Sequence, residues 1–283
     1  MKLCSFTIDG ATKTGVRTEA GILDLTALGF PADMNEIIRG GATVLAKIRA
    51  AAESAAGPFI DEQAAKFLPV SNPKKILCEG LNFKKHAEET GGTAPERPIF
   101  FSKFYDTLNA HNEATALPAW HEKYDYEAEL VIVVGKYSYN LSSPEEARAN
   151  IFGYTCGNDL SARDCQFLSS QWLCGKSFPG FAPVGPYIAT SDELNPEEPH
   201  SITCEVNGVT VQSSDTTDMI FSCAETLYTA SKFFPLDAGD IIFTGTPAGV
   251  IQGREKDKRV WLKPGDTLRV SIDGIGTLIT PLI

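Results

Sequence analysis

The hydrophobic pattern along the chain predicts mainly β-strands, with a few helices between them. Short apolar or alternating runs bounded by Gly, Pro and Asp are typical of strands. Such runs occur at residues 2–8, 21–25, 75–78, 126–134, 151–155, 201–211, 241–244, 260–262 and 267–272. Within residues 201–211, Asn207-Gly208 stands between alternating apolar positions and predicts a hairpin turn.

Three segments have the features of helices. Residues 32–56 are rich in alanine and carry apolar residues at helical spacing, although Gly40-Gly41 weakens the middle. Ser143-Pro144-Glu145-Glu146 supplies a cap, a proline in the first turn and acids near the positive end of the helix dipole. A third helix is predicted over about residues 222–233. The balance predicts a β-rich protein of the α+β class.

The character of the chain changes near residue 70. Residues 1–70 combine short strands with the alanine-rich helix and predict a small N-terminal α/β module, which we interpret as structural or as an oligomerisation element. Residues 67–73 contain two prolines and read as a linker. Residues 71–283 are predicted to form a second, larger domain, and all candidate chemistry lies in it.

Composition and charge exclude several classes of protein. Acidic residues outnumber basic ones 36 to 25, the net charge is −11, and no basic stripe of the kind that binds nucleic acid is present. No apolar run approaches the roughly 20 residues of a membrane span, and the first residues lack the apolar core of a signal peptide. The seven cysteines show no CxxC pair, which favours reduced thiols in a cytoplasmic protein. We therefore expect a small-molecule partner.

The most informative segment joins two carboxylates to an apolar strand. In residues 125–134 the period of two places Glu127 and Glu129 on one face of the strand. Apolar residues continue the strand on both faces, and neighbouring carboxylates in such a covered environment need a cation. Oxygen ligands favour Mg²⁺, Mn²⁺ or Ca²⁺ over zinc. The alternative is an exposed strand end with two solvated acids.

A second apolar strand runs into Asp159, and a helical turn is predicted after it. Ser161 and Asp164 have the spacing of a capping box. A helix there would place Arg163 and Gln166 on one face. Asp159 then lies at a strand-to-helix junction, where ligands are common. The alternative is a structural ion pair between Asp159 and Arg163.

A single lysine, Lys176, stands in an apolar loop shaped by Gly and Pro at residues 174–186. A cation in such a place stabilises an enolate or a carboxylate. The alternative is an ordinary surface lysine.

His86 and Glu89 are three residues apart in a predicted helical turn. A carboxylate that binds an imidazole fixes its tautomer and raises its basicity, as a water-activating base requires. The following Gly91-Gly92 is typical of a closing lid. The alternative is a histidine on a helix surface.

Taken together, these segments resemble the fumarylacetoacetate hydrolase family. The resemblance covers about residues 77–283, roughly three quarters of the chain. The motifs that carry it follow one another in order: Gly80-Leu81-Asn82 with His86 and Glu89, Tyr126-Glu127-Ala128-Glu129-Leu130, Gly153-Tyr154-Thr155 with Asn158-Asp159-Leu160-Ser161-Ala162-Arg163-Asp164, Lys176-Ser177-Phe178, and Gly239-Asp240 with Thr244-Gly245-Thr246-Pro247.

The resemblance implies a mixed β-sandwich roll, usually a homodimer, with Mg²⁺ or Mn²⁺ at its site. Nine positions match the family's functional residues: Glu127, Glu129 and Asp159 the metal ligands, His86 and Glu89 the water-activating pair, Lys176, Arg163 and Gln166 the polar groups around the substrate, and Thr246 the contact to its carboxylate.

The corresponding hypothesis is a metal-dependent hydrolase of the acylpyruvase type. His86, oriented by Glu89, activates a water that attacks the 4-carbonyl of a 2,4-dioxo acid, while Lys176 holds the developing enolate charge. Cleavage of the C3–C4 bond then yields pyruvate and a carboxylic acid. An oxaloacetate-type decarboxylase or a 2-hydroxy-dienoate isomerase would use the same metal site. A non-catalytic module that binds an oxo acid or a metal is the remaining alternative.

One departure from the family pattern stands after Lys176-Ser177-Phe178. Many relatives have a polar pair such as Asp-Thr at this place, whereas this chain has Pro179-Gly180. The change removes a side-chain hydroxyl that the resemblance places near the metal, and with it one constraint on the substrate.

Overall fold

The computed structural model describes residues 1–54, 57–91 and 93–283. Its strands are β1 (Lys2–Ile8), β2 (Ala11–Thr18), β3 (Gly21–Asp24), β4 (Phe59–Ile60), β5 (Lys66–Phe67), β6 (Ile76–Gly80), β7 (Ile99–Lys103), β8 (Leu108–Asn109), β9 (Tyr124–Asp125), β10 (Ala128–Val134), β11 (Ile151–Asn158), β12 (Ser161–Ala162), β13 (Ala182–Thr190), β14 (Ser201–Val206), β15 (Val209–Asp215), β16 (Ile241–Phe243), β17 (Thr267–Ile272) and β18 (Gly276–Pro281). The α-helices are α1 (Met34–Glu53), α2 (Lys84–Glu89), α3 (Pro144–Asn150), α4 (Arg163–Gln166), α5 (Leu173–Lys176) and α6 (Cys223–Ser231).

A twelve-stranded mixed sheet forms the body of the protein. Ten strands follow the order β4-β3-β2-β1-β13-β11-β10-β16-β6-β7, while β5 pairs with β1 and β8 pairs with β13. Most neighbours are antiparallel, but β16 and β6 run parallel, as do β13 and β8. The order places β10, which follows Glu127, near the middle of the sheet.

A four-stranded antiparallel sheet, in the order β15-β14-β17-β18, packs against the large sheet. Its inward residues, among them Ile202 and Val270, share one apolar core with Leu130 and Ile132 of β10. Two sheets packed over a common core form a sandwich, with helices in the minority. This arrangement confirms the β-rich α+β fold expected from the sequence.

Strand β10 is buried on both faces, as its pattern predicts. All seven of its residues are buried. Leu130 and Ile132 belong to the core between the two sheets, whereas Val131 and Val133 belong to a second core that includes Ile37 of α1. Carboxylates at the start of this strand therefore enter the interior of the protein.

The clearest local predictions are confirmed. Asn207-Gly208 joins β14 to β15 with φ angles of 52° and 80°, the left-handed conformation of a tight hairpin. Ser143 caps α3 by accepting the backbone N–H of Glu146, and Ser222 begins α6 with a full capping box. The backbone of α1 leaves the helical conformation at Gly41. Residues 55–56 of the predicted first helix, and Gly92 of the predicted lid, lie outside the described residues.

Two local predictions are wrong. Residues 260–262 form no strand in the described structure, and Leu262 makes only an isolated bridge to Tyr124. The capping box at Ser161 and Asp164 does not form, because the hydroxyl of Ser161 donates to the carbonyl of Asp159. The carboxylate of Asp164 turns towards His121 instead, with Oδ2 3.1 Å from Nδ1.

The first 70 residues continue the large sheet. Lys2 and Leu3 of β1 pair with Ala189 and Ile188 of β13, and α1 packs on the core beneath. The domain boundary near residue 70 stays a prediction, as does the homodimer. Among the described residues, no α-helix combines the length and the apolar character needed to cross a membrane.

Asp240 ties the start of β16 to the segment before β6. It is 1% exposed, and its carboxylate accepts hydrogen bonds from the backbone N–H groups of Lys74 at 2.8 Å, Lys75 at 2.9 Å and Asp237 at 2.8 Å.

Asp240→Ala leaves three donors without this acceptor, so we expect the free energy of unfolding to fall by about 2–4 kcal/mol in urea denaturation. Asp273→Ala, at an exposed position, should change it by less than about 0.5 kcal/mol. Equal effects of the two substitutions would contradict this assignment.

Candidate active site

Three carboxylates meet where β10 begins and β11 ends. Glu127 precedes β10, Glu129 lies in it, and Asp159 follows β11, its antiparallel neighbour. One oxygen of each lies within 4.8 Å of the others, and the residues are only 6%, 2% and 0% exposed. The backbone fixes this arrangement, since the N–H of Asp159 donates to the carbonyl of Glu127 at 2.9 Å. The predicted cluster is therefore present, and the alternative of a solvated strand end is wrong.

Two cations lie against Glu127. Lys176 Nζ is 2.5 Å from Glu127 Oε2 and 2.6 Å from Asp159 Oδ2, and Arg163 Nη2 is 2.7 Å from Glu127 Oε1. Burial raises the pKa of Glu127, but Lys176 and Arg163 outweigh it and lower the pKa to about 2. Lys176 is 2% exposed, so it is not a surface lysine.

Glu129 has a different environment. Its Oε2 accepts the backbone N–H of Gly245 at 2.7 Å, and no ion pair of the described residues includes it. Burial, followed by the charges of Asp159 and Glu127, raises the pKa of Glu129 well above its ordinary value. Glu129 is thus the carboxylate of the cluster that most needs a further cation.

The charge balance of this centre fits a hard dication. In the described structure it contains four buried carboxylates and three buried cations: Asp125, Glu127, Glu129 and Asp159 against Arg163, Lys176 and Lys103. With Glu129 ionised, as a metal ligand must be, one negative charge is therefore in excess. A divalent ion held by Glu127, Glu129 and Asp159 would reverse this excess to one positive charge, which suits an anionic substrate.

His86 and Glu89 form a pair on α2. His86 Nδ1 lies 3.3 Å from Glu89 Oε2, and the Glu89 carboxylate also accepts the backbone N–H of Gly249 at 3.0 Å. A Cβ at Gly253 would lie 2.4 Å from Glu89 Cδ, so a larger residue there would displace the Glu89 carboxylate. His86 is only 7% exposed, which rules out a histidine on a helix surface. The pair is thus held in place by the loop that follows β16.

One cavity of about 450 Å³ brings these groups together. Eight of the nine predicted residues line it: His86, Glu89, Glu127, Glu129, Arg163, Gln166, Lys176 and Thr246. The ninth, Asp159, is fully buried and contacts Lys176. The cavity is large enough for a small organic acid and mixes charged with aromatic walls.

Two of the predicted substrate contacts are engaged within the protein. The hydroxyl of Thr246 donates to the carbonyl of Ala128 at 2.9 Å and accepts from Gln212 Nε2 at 2.9 Å. Gln166 Oε1 accepts from Arg163 Nη1 at 2.7 Å, which confirms that these residues share one face of α4. Direct contacts of Thr246 and Gln166 with a substrate stay predictions.

The structure adds four charged residues that the sequence analysis did not select: Glu79, Lys103, Asp125 and Arg259. Lys103, at the end of β7, pairs with Asp159 and donates to the carbonyl of Phe181 at 2.7 Å. Asp125 accepts from Arg163 Nε at 2.8 Å. Glu79 and Arg259 line the cavity. A charge at the end of an apolar run was the available signal for Glu79 and Lys103.

The Pro179-Gly180 departure lies outside the cavity lining. A Cβ at Gly180 would approach Thr115 Cγ2 at 3.4 Å and Asn109 Nδ2 at 3.5 Å. Neither residue 179 nor residue 180 is among those that line the cavity. In this chain the pair shapes a neighbouring loop.

The two-sheet architecture and the buried triad of acids beside a His–Glu pair define a class of β-sandwich-roll proteins with a candidate divalent-metal site. A family model described as fumarylacetoacetate (FAA) hydrolase C-terminal matches residues 75–283. The chain belongs to the fumarylacetoacetate hydrolase family.

Similar proteins agree with this assignment. A mitochondrial oxaloacetate tautomerase from Xenopus laevis is 36% identical over 268 residues, which cover 93% of this chain and 82% of the relative. The solved fumarylacetoacetate hydrolase of Exiguobacterium antarcticum matches with a TM-score of 0.88 and 31% identity, covering 100% of this chain and 99% of the other. A maleylpyruvate hydrolase from Sphingobium sp. SYK-6, solved with manganese (II) and pyruvate, matches with a TM-score of 0.81 and 28% identity over 100% and 99% of the two chains.

Glu129 provides a test of the metal centre. Mn²⁺ at 100 times its dissociation constant should raise the free energy of unfolding of the unmodified protein by about 2.7 kcal/mol. Glu129→Gln should abolish this effect. Without metal, the variant should be at least as stable as the unmodified protein, because an uncompensated buried carboxylate is gone. Urea denaturation of EDTA-treated protein, with and without Mn²⁺, measures both effects.

His86→Ala is the matched control, because His86 lines the cavity but is not one of the three clustered carboxylates. This variant should keep the stabilisation by Mn²⁺. If Glu129→Gln keeps it as well, the three carboxylates are not the metal centre.

Glu79 gives a pH-dependent prediction. It is 1% exposed, Oε2 accepts from Thr226 Oγ1 at 2.5 Å, and Oε1 has no hydrogen-bond partner among the described residues. Burial raises its pKa from 4.5 to about 8. Between these values the folded protein holds a proton that the unfolded chain releases. Glu79 therefore lowers stability as pH rises through this window, by about 1.4 kcal/mol per pH unit.

The Glu79→Gln variant should not show this loss of stability with rising pH, because glutamine does not titrate. Between about pH 5.5 and 7.5, urea unfolding in EDTA should show the unmodified protein losing roughly 2–3 kcal/mol relative to the variant. Glu198→Gln, at an exposed position, should follow the unmodified protein. Parallel pH profiles for Glu79→Gln and the unmodified protein would show that Glu79 is ionised throughout.

Proposed function

We propose that this protein catalyses the keto–enol tautomerisation of oxaloacetate with the help of a divalent metal. The observation that carries the proposal is a single cavity lined by an acid–base pair, a cluster of carboxylates and an additional guanidinium. The Xenopus laevis relative, named as an oxaloacetate tautomerase, supports it over 93% of this chain. Fold membership alone does not decide the reaction, so the argument depends on the side chains.

The His86–Glu89 pair supplies the proton transfer. Glu89 accepts the Nδ1–H of His86, which leaves Nε2 as the basic nitrogen. Nε2 takes a proton from C3 of the keto form, and the C–H electron pair becomes the C2–C3 double bond. The C2 oxygen gains the negative charge and then a proton, which gives the enol with no net change in composition. The reverse sequence returns the ketone.

The negative charge on the C2 oxygen needs stabilisation in a site shielded from water. A bound divalent ion would supply Lewis acidity for the oxygens of the 2-oxo acid. Lys176 adds a fixed ammonium to the same cavity, and its ion pairs with Glu127 and Asp159 hold it in place. Fixed charges of this kind in a dry site are typically worth several kcal/mol.

Arg259 makes the cavity suitable for a dicarboxylate. Its guanidinium lies on the cavity wall, where Nε donates to the carbonyl of Arg254 at 2.9 Å and Nη1 to Gln252 Oε1 at 3.4 Å. These acceptors are neutral, so its charge is available to an anion. Oxaloacetate carries a second carboxylate, which a simple acylpyruvate lacks, and an arginine binds such a group well.

Hydrolysis of the C–C bond of a 2,4-dioxo acid is the second candidate. The His86–Glu89 pair favours it, because the same geometry could deprotonate a water for attack on C4. The C3–C4 bond would then break to give a carboxylic acid and the enolate of pyruvate. The maleylpyruvate hydrolase is a similar protein with a hydrolytic name. Decarboxylation of oxaloacetate and isomerisation of a 2-hydroxy-dienoate require the same centre without an attacking water.

Parallel assays test the proposal. Enol oxaloacetate is followed by its ultraviolet absorbance, and pyruvate release is measured from oxaloacetate and from acetylpyruvate, each with Mn²⁺ and with EDTA. We expect Mn²⁺-dependent loss of the enol without matching pyruvate release.

His86→Ala should reduce the rate by about 10²–10⁴-fold while Mn²⁺ binding persists. Arg259→Met should raise KM for oxaloacetate at least about tenfold, the equivalent of one lost charge-assisted contact.

Arg269→Met is the matched control, because Arg269 lies on β17, outside the cavity lining. It should leave KM unchanged. Pyruvate release from acetylpyruvate in the absence of enol turnover would replace the tautomerase proposal with the hydrolase. If pyruvate is released from oxaloacetate but not from acetylpyruvate, the tautomerase proposal would be replaced by the decarboxylase.

A further inference from the structure

A second cluster of metal-ligating side chains lies beside α4, outside the cavity. His121 Nδ1 is 3.1 Å from Asp164 Oδ2, and Cys165 Sγ is 3.2 Å from His121 Nε2. One ligand atom from each residue lies within 4.8 Å of the others. The sequence offered no sign of this cluster, because residues 121 and 164 are far apart along the chain. None of the three residues lines the cavity described above.

Hydrogen bonds within the protein leave this cluster incompletely satisfied. Asp164 Oδ1 is buried and has no hydrogen-bond partner among the described residues. The sulfur of Cys165 lies at nearly equal distances, 3.3 and 3.2 Å, from the two ring nitrogens of His121, so it does not face the lone pair of either. A buried oxygen without a donor is costly, and a cation among the three groups would remove this cost.

We infer that His121, Asp164 and Cys165 bind a zinc ion at a site separate from the three-carboxylate cluster. A thiolate, an imidazole and a carboxylate form a borderline-soft donor set that favours Zn²⁺ over Mg²⁺. Tetrahedral zinc with normal bond lengths places its ligand atoms about 3.3–3.6 Å apart. With Nδ1 as the ligand nitrogen, its distances to Asp164 Oδ2 and Cys165 Sγ are 3.1 and 3.3 Å. Water would complete the four ligands. The side chains of His121 and Asp164 are 22% and 27% exposed, so an ion has access from solvent.

Apart from metal binding, these residue types could form a catalytic triad in which Cys165 is the nucleophile. The structure does not favour it, because the sulfur is not aligned with the Nε2 lone pair. Burial, followed by the charges of Asp164 and Cys174, raises the pKa of the Cys165 thiol, whereas a catalytic cysteine needs a lowered one. Zinc displaces the thiol proton when it binds, so a raised pKa does not prevent ligation.

The position of the site connects it to the cavity. Asp164 and Cys165 are the two middle residues of α4, and the residues on either side of them, Arg163 and Gln166, line the cavity. Zinc would therefore restrain the same short helix that presents two cavity residues. This effect requires no direct contact between the metal and a substrate.

Cobalt spectroscopy tests the inference on the intact protein. The protein is treated with EDTA, saturated with Mg²⁺ to fill the carboxylate centre, and titrated with Co²⁺. We expect one equivalent of Co²⁺ to produce a thiolate-to-cobalt charge-transfer band, which an all-oxygen site does not give, and one equivalent of Zn²⁺ to remove it. Zn²⁺ should also raise the Tm of the Mg²⁺-saturated protein.

Cys165→Ser and His121→Asn should each lose the band, and Cys174→Ser, an exposed thiol, should keep it. Circular dichroism and the Tm increase with Mn²⁺ verify that each variant is folded with an intact carboxylate centre. Absence of the band in the unmodified protein would overturn the inference. If the band persists in folded Cys165→Ser, the cobalt is bound by another cysteine, and the inference is likewise overturned. Neither result would affect the proposed tautomerase activity.

Discussion

The burial of several carboxylates at one end of a fully covered strand is the constraint on which the rest of the structure depends. Glu127 and Glu129 are almost wholly buried at the start of β10, and Asp159 is brought beside them by the pairing of β10 with β11. Like charges in such a place raise one another's pKa and destabilise the fold unless cations compensate them. Lys176 and Arg163 do so for Glu127, but Glu129 is left to a hydrogen bond from Gly245. Glu129 therefore lacks a compensating cation, which a divalent ion held by the three carboxylates would supply.

The compensating groups come from separate parts of the chain, so the sheet order is what assembles the site. Lys103 ends the edge strand β7, Lys176 ends the short helix α5, and Gly245 follows β16. The loop after β16 also holds Glu89 through Gly249 and carries Arg259 to the cavity wall. A single loop therefore contacts both the acid–base pair and the region that would receive a second carboxylate. In the proposed reaction, this arrangement would link the choice of substrate to the positioning of His86 and Glu89.

The local sequence was sufficient to predict the structure of segments that determine their own conformation. The hairpin at Asn207-Gly208, the caps at Ser143 and Ser222 and the two-sided burial of β10 follow from turn chemistry, capping and alternation. Strands such as β13, which contains Pro183 and Pro186, could not be predicted in this way, because tertiary pairing overrides an unfavourable local composition. Ser161 and Asp164 had the spacing of a cap, but Asp164 found a partner in His121. The nine site residues were identified through ordered motifs, whereas Lys103 and Arg259 become recognisable only when the sheet brings distant segments together.

The arrangement around α4 suggests how chemistry and specificity are separated in this chain. Arg163 uses its guanidinium on Asp125, Glu127 and Gln166, so it stabilises the acid cluster and has few donors left for a substrate. Arg259 hydrogen-bonds only neutral groups among the described residues and lies on the cavity wall. In the proposed function, the two arginines near this cavity thus have different roles: Arg163 stabilises the acid cluster and Arg259 binds the anion that enters. If the proposal holds, substrate preference would change through the loop that carries Arg259, while the buried charges that would serve the proposed enolate chemistry stay constant.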